Sequence, residues 1–176
     1  MREPRPLPVP PDSLSFSVSD AVDAGISLRR LRGADLQHPY WGVRTPDHRE
    51  LSIFQRCAAF GLRMPPGAFF SHATAAIAQR VPLPLRLEED VTLDVGTMHT
   101  RRPVDAVGVR GHRMQIAPTE VMNWVGLQVT RPERTWFDLA ALLTLPELVA
   151  AGDFLIHRRV PRTTKPRSTD RAALWG

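Results

Sequence analysis

The distribution of apolar and polar positions divides the chain into a proline-rich opening, a short helical pair, a longer run of mixed helices and strands, and a polar, basic end. Residues 1–13 carry too many prolines for a helix or a central strand, which predicts an extended arm. Ser19 stands as an N-cap before Asp20-Ala21-Val22-Asp23-Ala24, whose acids fall in the first turn, where the helix dipole favours them. Gly25 ends that segment. After Ile26, Ser27 caps a second stretch, Leu28-Arg29-Arg30-Leu31-Arg32, with Leu28 and Leu31 on one face and the arginines directed elsewhere. Helix, glycine turn and basic helix together make a helix-turn-helix pattern. Tyr40-Trp41-Gly42-Val43-Arg44 comes next as a short, aromatic, β-favouring run in the position of a wing.

Further along, helical spacing returns from Arg49 to Phe60, with Leu51, Phe54, Cys57, Ala58 and Leu62 on the core side. Pro65-Pro66-Gly67 breaks the chain, and Ser71 then caps a small-residue helix through Ala73, Ala75, Ala76 and Ala78, with His72 as a surface or packing residue. Val91 to Val95 alternates like a half-buried strand, and Ala106 to Val109 and Met114 to Ile116 read as two more. Arg101-Arg102-Pro103 lies in the connection between the first two. A last strand, Leu127 to Thr130, leads into a helix with Pro132 in its first turn, Thr130 as its cap and Trp136, Phe137, Leu139, Ala140 and Leu143 along it. Pro146 opens a final helix from Glu147 to His157. The pattern as a whole is α+β: a short N-terminal winged-helix-like helix-turn-helix module over residues 14–47, then a small mixed α/β domain over residues 48–157.

Charge changes this picture less than its total suggests. The net charge is +5, but residues 157–176 carry Arg158, Arg159, Arg162, Lys165, Arg167 and Arg171 against Asp170 alone, so the rest of the chain is neutral. A neutral body with a basic tail, residues 158–176 reading as disordered, does not establish nucleic-acid binding by its isoelectric point; local clusters must. Cys57 is the single cysteine, which leaves no disulfide framework and marks it as a small buried hydrophobe. No apolar run reaches membrane-spanning length and the opening lacks the apolar stretch of a signal peptide, so the expectation is a cytoplasmic protein with no membrane partner.

The residues for most catalytic chemistries are not in sequence register. The histidines (His38, His48, His72, His99, His112, His157) form no pair at three- or four-residue spacing, so a metal site has no local signature. A restriction-type nuclease needs acids for a divalent metal and a lysine two residues after the second; the lysine available is Lys165, preceded at that spacing by Thr163. Neither a Gly-x-Ser-x-Gly elbow nor a phosphate-binding glycine loop occurs. The reading is non-catalytic, with no cofactor and no metal. For Arg29, Arg30, Arg32 and Arg44, two alternatives stand. They form a solvated basic face, or the helix opened by Ser27 enters a major groove with Ser27 and Arg29 or Arg30 near its N-terminus and Arg44 on the wing touching phosphate. On the second alternative, replacing Arg29 and Arg30 together by alanine abolishes duplex binding. Arg134 and Asp138, four apart on a helix, make either an exposed ion pair worth a few tenths of a kcal/mol or, with Thr135, a buried polar anchor under Trp136, Phe137 and Leu139.

Three blocks taken in order carry a family resemblance. Phe16 to Val43 (FSVSDAVDAGISLRRLRGADLQHPYWGV), Phe69 to Pro84 (FFSHATAAIAQRVPLP) and Gly126 to Ala140 (GLQVTRPERTWFDLA) resemble the corresponding stretches of AbiEi-type, type IV toxin-antitoxin antitoxin-like proteins of actinobacteria. The resemblance covers about residues 14–159. It implies a DNA-binding transcription regulator that recognises double-stranded DNA, pairs with a nucleotidyltransferase-like toxin and can form a homodimer. In many such proteins a very-short-patch-repair-like endonuclease domain follows, and the expectation here is a form that lacks it. The alternative function is a protein-interaction or targeting module from a truncated nuclease-containing protein, with no regulatory role of its own.

Overall fold

The computed structural model describes residues 15–46 and 50–157, and the expectations for the proline-rich arm, the helix start at Arg49 and the basic tail lie outside the described residues. Within them the architecture is mixed α+β, with six α-helices and two sheets. Strand β1 (Phe16–Ser17) runs into helix α1 (Val18–Asp23), and β2 (Val43–Arg44) returns antiparallel to β1, with Phe16 opposite Arg44. Between them lies a small core of Phe16, Ala21, Leu31 and Leu36, supported by Val18 and Ile26. Helix α2 (Ile53–Gly61) starts later than its sequence pattern suggests because Ser52 closes a capping box with Gln55: Gln55 N–H donates to Ser52 Oγ at 3.3 Å and Ser52 N–H to Gln55 Oε1 at 2.8 Å.

The larger sheet is built from β3 (Phe69–Phe70), β4 (Leu93–Met98), β5 (Val109–Met114), β6 (Val121–Trp124) and β7 (Leu127–Thr130), in the order β5-β4-β3-β7-β6. Strand β3 is only two residues long yet central, pairing antiparallel with β4 and parallel with β7, so that Phe70 lies opposite both Val95 and Val129. Strands β4 and β5 are parallel, which forces the chain to return across the sheet between them. It does so by residues 99–108 without a helix, and Val104 crosses so close over Gly111 that a Cβ there would overlap the Val104 backbone.

Helices α3 (His72–Ala78), α4 (Leu85–Glu88), α5 (Pro132–Leu139) and α6 (Leu145–His157) complete the fold. The main core joins Cys57, Ala59 and Phe60 of α2 and Ala75 and Ala78 of α3 to Phe70, Leu93, Val95 and Val129 of the sheet. Tyr40 and Val43 belong to this same core, which fastens the N-terminal module to the sheet. Ala73 and Ala76 face a second cluster with Leu139 and Ala151, so the small side chains of α3 let it pack between the sheet and helices α5 and α6. No helix among the described residues is long and apolar enough to cross a membrane.

Three helix caps differ from the sequence expectation. Ser17, not Ser19, caps α1, its Oγ accepting from Asp20 N–H at 3.0 Å. Ser71 occupies the N-cap position of α3 but makes no capping bond, because its hydroxyl is held by the His72 ring. At α5 the N-cap position is Arg131, and the Thr130 hydroxyl instead bonds Thr135 Oγ1 at 2.7 Å.

Candidate functional site

The basic segment of the N-terminal module is shorter than its pattern suggests. Ser27 Oγ accepts from Arg30 N–H at 3.2 Å, but the N-cap position belongs to Arg29, and the segment is a single 3-10 turn, Arg30–Arg32, rather than an α-helix over Leu28–Arg32. The turn stops at Gly33, whose backbone is extended. Leu28 and Leu31 do not share a face: Leu31 is buried in the module's core, whereas Leu28 is 55% exposed.

Two of the arginines brace this turn. The Arg30 guanidinium forms a two-pronged pair with Asp35, at 2.9 Å and 2.6 Å, across the turn. Gly33 lies directly beneath, where any Cβ would collide with the Asp35 carboxylate and the Arg30 guanidinium. Arg44 on β2 donates from Nε to the Leu31 carbonyl and from NH1 to the Val43 carbonyl, both at 2.8 Å, tying the turn to the ribbon. Partial burial, then the neighbouring charge of Arg32, lowers its pKa below the usual arginine value. Arg29 and Arg32 remain exposed on the same turn, and among the described residues neither has an ion-pair partner. Asp20 is exposed on α1 and Asp23 ends it, so the face is not uniformly basic.

A second polar assembly lies where β4 and β5 meet the start of α3 and the side of α5. Asp94, almost fully buried, accepts from His112 Nε2 at 2.8 Å and from Arg110 NH1 at 3.1 Å. Arg110 also reaches Asp90 at 3.0 Å. The His72 ring stacks on His112 with centroids 3.9 Å apart, and its Nδ1 bonds Ser71 Oγ at 3.0 Å. Burial, then the charge of His112, pulls the His72 pKa from 6.5 to about 4, with Asp94 working in the opposite direction. Thr74 Oγ1 accepts from Asp94 N–H at 2.7 Å and fixes the strand to α3.

Arg134, Thr135 and Asp138 border this assembly. Arg134 donates from Nε to Asp138 at 2.8 Å and from NH1 to the Gln115 carbonyl at 2.9 Å, with Glu120 at 3.4 Å. Asp138 is buried, its Oδ2 has no hydrogen-bond partner among the described residues, and desolvation raises its pKa against the opposing pull of Arg134. Thr135 is fully buried, and Gln79 Nε2 donates both to its Oγ1, at 3.0 Å, and to the Thr130 carbonyl, at 2.8 Å. These bonds join α3, α5 and β7 through polar groups in a nearly dry environment, where each is costly to lose.

The arrangement does not line up a nucleophile relay: Ser71 and Asp94 are bonded to different imidazoles, and the two rings meet face to face. Among the described residues no group of three or more His, Cys, Asp or Glu side chains is placed to hold a metal ion. Sequence reasoning misses Asp94, Arg110 and His112 because they lie on separate strands, and spacing along the chain says nothing of cross-strand neighbours. The one local signal is an acid inside the apolar Leu93-Asp94-Val95 run. Comparison with known proteins finds no family model that matches this chain and no match among curated proteins.

Proposed function

We propose that this chain is a non-catalytic DNA-binding regulator of antitoxin type, whose winged-helix-like N-terminal module contacts duplex DNA while the α+β body holds a second copy or a toxin. The observation that carries the reading is the pair Arg29 and Arg32, exposed on a turn that Arg30–Asp35 and Arg44–Leu31 make rigid. Guanidinium groups on a pre-ordered turn lose less entropy on meeting phosphate than the same groups on a mobile chain. The two-stranded ribbon β1–β2 flanks helix α1 and the 3-10 turn, and its β2 strand falls within the run that the sequence pattern reads as a wing. Of the five residues that the sequence pattern nominates, Ser27 shapes the turn and Arg30 and Arg44 brace it, so the DNA contacts fall to Arg29 and Arg32.

The test is fluorescence anisotropy of a labelled duplex with the Arg29→Ala, Arg32→Ala double variant. Affinity should fall at least about tenfold, and the slope of log affinity against log salt should flatten by ~2, one for each phosphate that is no longer neutralised. Because both side chains are exposed and make no side-chain hydrogen bond or ion pair among the described residues, thermal stability should stay within about 0.5 kcal/mol. Unchanged affinity and salt slope would sink the assignment. Arg30→Ala is a poor substitute for this test, since it removes the two-pronged pair with Asp35 and loosens the turn itself.

A second reading, a protein-interaction module, is favoured by the outer face of α5 and α6. Trp136, Phe137 and Ile156, exposed at 39, 65 and 78%, line one recess between the two helices, and Leu145 and Val149 are exposed on α6 as well, an apolar surface of the kind that marks a partner site. The two readings are compatible if this face holds the toxin or a second protomer.

A further inference from the structure

Trp41 is 85% exposed, while its neighbour Tyr40 is buried with its ring packed edge-on against Phe60, centroids 5.1 Å apart. The indole is therefore held out by a fixed turn. Gly42 takes φ +75 there, Val43 N–H donates to the Tyr40 carbonyl at 3.1 Å, and Val18 N–H donates to the Gly42 carbonyl at 2.8 Å. A tryptophan presented in this way offers a large aromatic face to a binding partner. Arg63 lies 5.8 Å from the indole centroid, in cation–π range.

Arg63 is also where three recesses meet. One, of about 760 Å³, runs along Ser17, Trp41 and Arg44; another, of about 400 Å³, holds Arg101 and Arg102; a third, of about 330 Å³, lies between Trp41 and Asp105. The track thus crosses from the N-terminal module onto the connection between β4 and β5. Among the described residues it carries four arginines, Arg44, Arg63, Arg101 and Arg102, against the acid Asp105. Arg101 NH1 donates to the Pro66 carbonyl at 2.9 Å and Thr97 Oγ1 to the Arg102 carbonyl at 3.2 Å, so this connection too is fastened in place.

We propose that this track binds single-stranded nucleic acid, with Trp41 stacking on an unpaired base and Arg63, Arg101 and Arg102 following the phosphates. The combination of a basic groove and a projecting aromatic ring is what strand binding without base-edge readout requires. A duplex buries its base faces and offers only base edges and backbone, so it leaves an exposed indole without a stacking partner. The inference goes beyond operator binding and does not depend on Arg29 or Arg32.

The experiment is an anisotropy titration of the full chain with labelled oligothymidylate of about 12 nucleotides, within the range of strand-binding site sizes, and with a blunt duplex as comparison. Trp41→Ala should weaken oligothymidylate binding at least about tenfold and duplex binding less than about threefold, with Trp41→Phe restoring most of the loss, since phenylalanine keeps a stacking face. Replacing Arg101 and Arg102 by alanine should flatten the salt slope for the single strand. The thermal melting of Trp41→Ala should match the wild type, because the side chain is out in solvent. The proposal is overturned if the wild type does not bind oligothymidylate, if Trp41→Ala binds it as tightly as wild type, or if polyglutamate binds equally well.

Discussion

Gly111→Ala should destabilise the protein by about 3 kcal/mol, the upper range for overpacking a filled site. The added Cβ would meet the carbonyl oxygen of Val104, with the Val104 nitrogen at 2.8 Å and its carbonyl carbon at 3.0 Å. These are backbone atoms, so no side chain can rotate away to relieve the clash. Either the crossing segment lifts off β5 or β5 shifts against β4, and both disturb the placement of Val104 on the main core. Because Arg101 and Arg102 ride on the same segment, strand binding should weaken in this variant along with stability. Gly61→Ala is the control: nothing lies within 4 Å of its added Cβ and its φ is ordinary, so urea unfolding should move by no more than about 0.5 kcal/mol, in the stabilising direction. Similar unfolding midpoints for the two variants would show that residues 99–108 do not press on β5 as described.

Acid should unfold the protein through His72. Its folded-state pKa, about 4, lies below the ordinary 6.5, so the unfolded chain takes up this proton first as pH falls. The stability that neutral His72 contributes is therefore complete above pH 6.5, is lost progressively between 6.5 and about 4, and changes no further below that. At 1.36 kcal/mol per pKa unit the loss is about 3 kcal/mol, an upper figure because solvent reaches part of the ring. The cost arises first from taking the charged ring out of solvent, then from His112, Arg134 and Arg110 beside it, with Asp94 opposing them. The raised pKa of Asp138 acts with the opposite sign, favouring the fold below its ordinary carboxylate range, and offsets a part of this. Urea unfolding at pH 7 and pH 4 should show the wild type losing more stability than His72→Asn, by up to about 3 kcal/mol. Asparagine suits this position because the backbone there has φ +47, a left-handed conformation that asparagine tolerates better than most residues. Parallel pH dependence in the two proteins would remove His72 from the account.

The helices α2, α3, α5 and α6 are legible in the sequence because each repeats apolar or small residues at helical spacing, and because Pro132 and Pro146 fall in first turns. Their starts are not, since several serines compete for each cap and only tertiary neighbours decide which hydroxyl is free. Ser71 illustrates this: a capping residue by type, it is diverted to His72. Strand β5 reads in sequence as two fragments on either side of Arg110-Gly111-His112-Arg113. Those residues look like a loop because one face of the strand supplies the Asp94 cluster and the other accepts the crossing chain at Gly111. Strand β3 is invisible, as two residues cannot display an alternation. The basic turn is recognisable by composition but reads as too long, because nothing local reveals that Arg30 will turn back to Asp35 rather than continue a helix. The apolar role of Leu31 is legible; the exposure of Leu28 is not, since a 3-10 turn of three residues ends before a helical face is established.

Specific recognition of duplex DNA can be measured by titrating the full chain against its own upstream DNA and against a scrambled duplex of equal length at physiological salt. A preference on the order of a hundredfold or more for the upstream sequence is expected, because a basic tail or a phosphate-tracking groove binds both duplexes alike. Equal affinity for the two, or no binding to either, would contradict the regulator reading and leave the apolar face of α5 and α6 as the functional surface.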